Sequence, residues 1–467
     1  MKKVRDPIHG FIYPTETESK IIDSCIFQRL RKIKQLALTS LVYPGAVHTR
    51  FDHSLGVYHV ASEMAKTVLS DEDDGKARIV RFAALLHDIG HGPFSHVSES
   101  LLDKYSGLAT GGEKENIHEK LTVKLIETDS HLRDLISREE RDRIIGLLSG
   151  EKVDLAVMRE IVSGPIDADK IDYLLRDGFF CGVKYGVFDH HQLLSTFSVF
   201  ENEGDKCLAL RDDGKHALEQ FVLAKYYMTT QVYRHKVRAI SDAMITRGLE
   251  LGIEEDQLKF LNKLYRYEDS QEYLENYLRY WDDRIINEII YSEKKGYAKE
   301  IFERLHERRL FKRVFFKKYK DLNVPPEIKD ILLDVNKDER IGLRKDLEEK
   351  ISKISAIKCD KNFLILNKRS IKSIKDLSQS DEGRVLLLSD DGRKRRFEDE
   401  SEVFSSINMT VKDETYLEVY CPVDLPSQNK IKIISEIEKE IYNILKSIPT
   451  QSYENKTHTS TASEAAQ

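Results

Sequence analysis

Large apolar residues recur at helical spacing through the first part of the chain. Ile22, Ile26, Leu30, Ile33 and Ala37 fall on one stripe, and Val57, Val60, Met64 and Val68 on another, which predicts amphipathic helices with one buried face. Residues 82–86 form an unbroken apolar run that ends at His87, and Gly90, Gly92 and Pro93 break the helix directly after it. The acidic stretch 70–75 reads as a solvated turn. Gly107, Gly111 and Gly112 predict an exposed loop over 105–118, leading into the helix that carries His118 and lying on the rim of a site. The spacing becomes that of strands at 198–200 and 207–210, around Asn202-Glu203-Gly204-Asp205, which predicts a β-hairpin inserted among helices. A long helix is expected from about Lys215 to about Leu251. Residues 255–320 again read as helical and rich in Tyr, Lys and Arg, and their basic end at 308–318 reads as a solvated helix face or a phosphate contact. Beyond Pro325-Pro326, residues 363–366, 384–388 and 415–420 read as strands.

The expected fold class is therefore mostly α: an all-helical core over 1–250 with a small β-hairpin insertion, a helical extension over 251–330, and a smaller C-terminal α+β lobe over 331–449. Residues 450–467 are polar and are expected to be a disordered tail.

Composition narrows the class. A chain of 467 residues, 40% hydrophobic and 33% charged, can bury a large core in more than one lobe. Its formal net charge of -6 argues against nucleic acid as the primary partner, while leaving room for local basic patches. The five cysteines, Cys25, Cys181, Cys207, Cys359 and Cys421, lack metal-type pairing and suggest free thiols in a reducing compartment. No apolar run is long enough to span a bilayer, so neither a signal peptide nor a membrane partner is expected, and a cytoplasmic location is.

Candidate chemistry concentrates in His48-Thr49-Arg50-Phe51-Asp52-His53 and His87-Asp88-Ile89-Gly90-His91-Gly92-Pro93-Phe94-Ser95-His96. His87-Asp88 offers an imidazole nitrogen and a carboxylate oxygen from adjacent positions, and His53 and Asp169 can complete the set once the fold joins them. Two His and two Asp form a mixed, largely hard donor set that suits Fe, Mn, Zn, Ni or Mg. Four protein ligands leave positions for water and a phosphate oxygen. A lone His-Asp dipeptide is more often a helix-terminal structural feature. With His91, His96 and His118 close by, the pattern points to a metal-dependent hydrolase.

These residues resemble the HD-domain phosphohydrolases, and more narrowly the deoxynucleoside triphosphate (dNTP) triphosphohydrolases related to the sterile-alpha-motif/HD-domain protein. The likeness runs through Arg5-Asp6-Pro7-Ile8-His9-Gly10, Phe27-Gln28-Arg29-Leu30-Arg31, Phe51-Asp52-His53-Ser54-Leu55-Gly56-Val57, the 90–96 segment, Asp167-Ala168-Asp169-Lys170-Ile171-Asp172-Tyr173 and Tyr233-Arg234-His235-Lys236-Val237. It spans roughly residues 1–250, which it identifies as an HD-domain catalytic core.

The resemblance implies hydrolysis of a dNTP to deoxynucleoside and inorganic triphosphate, with metal on His53, His87, Asp88 and Asp169 and Mg on the substrate phosphates. It implies His96 as general acid, supported by His118 and Glu99, with His91 beside the phosphates. Glu99 departs from the aspartate of better-known members. Arg50, Lys170 and Lys225 would hold the triphosphate, Lys225 replacing an arginine. Gln35 and Asp177 would meet the sugar 3′-hydroxyl, and Leu36, Tyr173 and Tyr233 would close around the sugar. A GTP or dNTP activator, bound between subunits of a homotetramer, would meet Asp23, Gln28 and Arg31, with Arg211, His235 and Lys236 near a second effector nucleotide. Gln192 and Asp213 stand where basic residues meet phosphate in the family. Two other readings remain: an HD phosphohydrolase acting as a nucleotidase or phosphodiesterase, and a non-catalytic nucleotide-sensing module.

Overall fold

The computed structural model describes residues 3–69, 74–106, 117–150, 156–202, 205–333, 340–371, 385–410, 414–423 and 428–448. Residues 70–73 of the expected acidic turn, 107–116 of the expected glycine-rich loop, the hairpin tip at 203–204 and the tail from 450 lie outside them, while Asp74 and Gly75 of that turn and Tyr105, Ile117 and His118 of that loop are helical. The chain forms two compact units, one of residues 1–294 with 374–411, the other of 295–373 with 412–467.

In the first unit the fold is mostly α, as expected. Helix α1 (Arg50–Val68) starts at a capping box in which Asp52 accepts the Thr49 backbone N–H at 2.9 Å. Its buried face carries Val57, Val60 and Met64 and packs on α2 (Asp74–Leu86) and α5 (Ala168–Cys181). Between α2 and α5 come α3 (His96–Tyr105) and α4 (Ile117–Thr128). Gly56 lets α1 and α5 approach: a Cβ there would lie 1.8 Å from Asp172 Oδ1.

Two helical expectations change. Ile22, Ile26, Leu30, Ile33 and Ala37 are all buried, yet they do not share one helix. Glu16–Ile22 ends there, and Ser24 caps a new short helix, Cys25–Gln28, by accepting the Phe27 N–H. The long helix at 215–251 is likewise divided, into α6 (Lys215–Tyr227), a π-helical turn Met228–Tyr233, and α7 (Lys236–Glu254). His235 is extended (φ -60°, ψ 134°) and caps α7 by accepting the Val237 N–H.

Strands β1 (Val4–Asp6) and β2 (Gly10–Ile12) form an antiparallel hairpin. The expected inserted hairpin is present as β3 (Phe197–Asn202) and β4 (Asp205–Arg211). In the second unit, residues 312–318 form a strand, β5 (Lys312–Lys318), where a basic helix was expected. The preceding helix ends at His306, Arg308 takes a left-handed φ of 56°, and Val314 and Phe315 then turn into the core.

β5 and β6 (Ile365–Ile371) flank β9 (Glu414–Cys421), both antiparallel to it. Leu417, Val419, Ile437 and Ile441 lie in the core beneath this sheet. The strand expected at 384–388 does not join it. β7 (Leu386–Leu388) runs parallel to β4, with Leu387 opposite Leu210, and β8 (Lys394–Arg396) extends the sheet of the first unit. A division that is linear along the chain therefore does not describe the units: both Leu210 and Leu387 are buried, and their pairing returns 374–411 to the first unit.

Candidate active site

The site stands where the first turn of α1, the loop between α2 and α3, and the first turns of α5 meet. α1 presents Arg50 and His53 three residues apart, on one face. His87 follows the end of α2 and fixes its own tautomer, Nδ1–H donating to the Ala84 carbonyl at 2.8 Å. That leaves the His87 Nε2 lone pair buried with no hydrogen-bond partner.

His53, His87 and Asp88 offer ligand atoms all within 4.8 Å of one another. Asp169 joins them through Oδ1, 2.8 Å from His53 Nε2. An imidazole nitrogen with no partner, facing two carboxylates and a second imidazole, fits a divalent cation better than it fits a finished hydrogen-bond network. The residues expected to hold metal are thus brought together.

His53 is braced from behind: its Nδ1 lies 2.8 Å from Asp172 Oδ2. Asp172 also meets His9 Nε2 at 2.7 Å and takes both Nε and Nη2 of Arg176, at 2.8 and 2.9 Å. Burial alone would raise the Asp172 carboxyl, but the Arg176 charge and the hydrogen bonds from His53 and His9 hold it well below the usual carboxylate range. A carboxylate behind a ligating histidine sets the ring's orientation and basicity.

Burial pulls the His53 pKa down, yet hydrogen bonds to Asp169 and Asp172 outweigh it and raise it to about 10. In the metal-free protein His53 is therefore charged at pH 7. Because its folded value lies above the unfolded one, this stabilisation is complete below about 6.5 and is lost as the pH rises through about 10. Metal uptake at pH 7 is expected to release about one proton per ion. Calorimetry in buffers of different ionisation enthalpy measures it, and a release of zero would contradict the charged His53.

A second cluster adjoins the first through Asp88. Asp88 Oδ1 lies 3.3 Å from His87 Nε2 and 3.2 Å from His91 Nε2, while Oδ2 accepts from Arg50 Nη1 at 2.6 Å. Glu99 is the hub of the second cluster. Its Oε1 lies 2.8 Å from His91 Nδ1 and 3.1 Å from His118 Nδ1, and its Oε2 pairs with His96 Nδ1 at 3.1 Å. Burial pushes the Glu99 carboxyl up, but hydrogen bonding to His118, His91 and His96 takes it far below the usual range, so it stays ionised. His91, depressed by burial and then by Arg50 and His118, falls to about 3 and is neutral. His96 is the exposed member, its side chain 65% accessible. The longer glutamate stem still reaches it.

The residues expected to hold substrate are less uniform. Arg50 is buried, with Nε on Ser95 Oγ at 2.8 Å and Nη2 lacking a partner. The Lys170 ammonium is bonded to Asp167 and to the Gly164 carbonyl. Asp177 accepts from Tyr233 Oη at 2.6 Å and meets His48 Nε2 at 2.7 Å. Tyr173 and Tyr233 rings meet edge to face at 6.2 Å. Leu36 is buried, Gln35 has a buried Oε1 without a partner, and Lys225 is half-buried on α6.

Of the residues expected at an effector nucleotide, Arg31 Nε donates to Gln28 Oε1 at 2.8 Å, and Asp23 is exposed at the end of Glu16–Ile22. Arg211 ends β4, 3.5 Å from Asp213, whose carbonyl accepts from Gln192 Nε2 at 3.2 Å. His235 caps α7 and Lys236 opens it.

Sequence reasoning gave no role to Asp172, Arg176, Asp6, Ser95 or Asp282, which brace the site from behind. One signal was available: Asp172 and Arg176 sit four apart on a helix whose other residues are largely apolar, the spacing of a facing ion pair.

Comparison with known proteins agrees with this geometry. A model of the HD domain matches residues 50–177, which include all four candidate ligands, and a model of the HD associated region matches 188–441. An uncharacterized protein of Methanocaldococcus jannaschii is 31% identical over 450 residues, covering 96% of this chain and 84% of its own length. Deoxynucleoside triphosphate triphosphohydrolase SAMHD1 of Homo sapiens is 32% identical over 357 residues, covering 67% of this chain, which spans 55% of that relative. The crystal structure of a phosphohydrolase from Bacteroides thetaiotaomicron superposes with a TM-score of 0.69 at 25% identity, over 90% of this chain and 99% of that one. Among the described residues no helix is long and apolar enough to cross a membrane. With its ligand set inside an HD domain and the associated region following, the chain belongs to the HD-domain family of phosphohydrolases.

Proposed function

We propose that this chain is a metal-dependent dNTP triphosphohydrolase, releasing deoxynucleoside and inorganic triphosphate. The observation that carries the reading is the junction of the two clusters at Asp88, which sets an acid–base group beside a cation site. Cleavage at the α-phosphorus expels the sugar 5′-oxygen, a poor leaving group unless it is protonated. The likeness to SAMHD1, a deoxynucleoside triphosphate triphosphohydrolase, points to the same reaction.

A divalent ion on His53, His87, Asp88 and Asp169 would polarise a phosphoryl oxygen and make a water nucleophilic at neutral pH. His96 donates a proton to the departing 5′-oxygen from Nε2, while Nδ1–H rests on ionised Glu99. Glu99 holds the ring. Neutral His91 lines the phosphate side without adding a competing positive charge. Arg50 offers its unpartnered Nη2 to a phosphate oxygen, and Lys170 and Lys225 add positive charge along the triphosphate. Gln35 and Asp177 meet the 3′-hydroxyl, and Leu36, Tyr173 and Tyr233 enclose the sugar. Asp23, Gln28 and Arg31 read a GTP or dGTP activator between subunits of a homotetramer, with Arg211, His235 and Lys236 at a second nucleotide.

Product analysis tests the reading: purified protein with each dNTP and each ribonucleotide, with Mg²⁺ or Mn²⁺, with and without GTP, beside an Asp88→Ala control. Deoxynucleoside plus triphosphate, absent in the control, is the expected outcome, and phosphate or monophosphate as product overturns it. His96→Ala is expected to lower kcat by about 10² to 10⁴-fold with little change in metal content. Mass photometry showing the same assembly with and without GTP would remove the activator from the proposal.

A further inference from the structure

α3 begins in an unusual way. Phe94 and Ser95 both have positive φ, 62° and 54°, conformations that non-glycine residues hold only when their surroundings impose them. Ser95 occupies the capping position but makes no side-chain cap bond, because its hydroxyl donates to the Lys34 carbonyl and accepts from Arg50. The usual device for fixing a helix start is absent where His96, the first residue of α3, must be aimed.

The constraint comes from far along the chain. Asp282, the first residue of helix α8 (Asp282–Ile290), is 1% exposed and accepts the Phe94 N–H on Oδ1 at 2.7 Å. Its Oδ2 accepts the Lys34 N–H at 3.0 Å. One carboxylate thereby ties the backbone two residues before His96 to the backbone beside Gln35. The residues just before Asp282 hold the same loop: Tyr277 Oη donates to the Gly90 carbonyl at 2.9 Å, and Arg29 bridges the carbonyls of Tyr280 and His91.

We propose that Asp282 is a positioning residue of the hydrolytic site, fixing the loop that aims His96 and holding it in register with Gln35. The inference rests on the reading of His96 as general acid. Asparagine has nearly the same shape but a single acceptor oxygen, so in Asp282→Asn one of the two N–H groups faces an NH₂ donor.

The experiment compares wild type and Asp282→Asn on a dNTP and on bis(p-nitrophenyl) phosphate, whose aryl leaving group departs without protonation. Loss of a positioned acid should cost kcat on the dNTP on the order of 10²-fold, with the aryl diester rate and bound metal little changed. Equal loss on both substrates, loss of metal, or no loss on either overturns the assignment. Hydrogen exchange supplies a readout independent of turnover: in wild type the Phe94 and Lys34 amides should be among the slowest of their segments, and in the variant 33–36 and 90–96 should exchange faster while α1 does not. Fast exchange of either amide in wild type overturns it without any variant. Should wild type release no triphosphate, the dNTP reading has failed, and the exchange data still decide whether Asp282 holds the loop.

Discussion

His87→Ala is expected to empty the metal site and lower triphosphate release by 10³-fold or more, equivalent to about 4 kcal/mol in the barrier, while the fold survives. The ring gives the protein one hydrogen bond, from Nδ1 to the Ala84 carbonyl, and its Nε2 has no partner. Losing it should cost roughly 1 kcal/mol of stability. Elemental analysis should find metal near stoichiometric in wild type and near zero in the variant. Adding metal should raise the thermal midpoint of wild type and not of the variant, since only a bound ligand stabilises the native state. A variant that keeps both its metal and its activity would move the cation site away from His87.

The second large effect is on stability. Arg176 is fully buried and is the counter-charge to Asp172 and Asp6, with Nη1 on Asp6 at 2.9 Å. Arg176→Met leaves two buried carboxylates without that partner, and breaking a buried pair in this way costs about 3–5 kcal/mol. Urea unfolding at pH 7 should show the midpoint falling with an unchanged slope.

The pH dependence has a definite sign. Asp172 is depressed in the fold, so its contribution is present above its unfolded value and lost as the pH falls through its folded one. Without Arg176 its pKa rises and it takes up a proton earlier, which relieves the buried charge. The gap between wild type and variant should therefore narrow toward acid pH. A gap that widens there would mean Arg176 is not the group that holds Asp172 ionised.

The candidate metal ligands were legible because their residue types and spacing carry the chemistry: an adjacent His-Asp at the end of an apolar run has few other uses when two more donors share the pattern. The mostly helical class followed from apolar spacing in the same way. What was not legible depended on distance or on ambiguous spacing. Asp282 meets residues 188 and 248 positions away, and nothing in its neighbourhood announces either contact. Residues 312–318 combine charged ends with Val314 and two phenylalanines, a pattern short enough to serve a helix or a strand, and pairing with β9 selects the strand. The break at Arg234 carries no proline or glycine to mark it. Bending there lets Tyr233 donate to Asp177, a tertiary bond that local propensity does not report.

The parallel pairing of β7 with β4 has a consequence for synthesis. Leu210 leaves the ribosome well before Leu387, its partner across the sheet, and the chain must build all of residues 295–373 in the interval. Until then the outer edge of β4 carries unpaired backbone groups beside an apolar side chain, the kind of surface that recruits other nascent strands. A unit whose candidate ligands all precede residue 170 is thus left with a late seam, and a truncation at residue 294 should keep the candidate ligand set yet aggregate through that open edge.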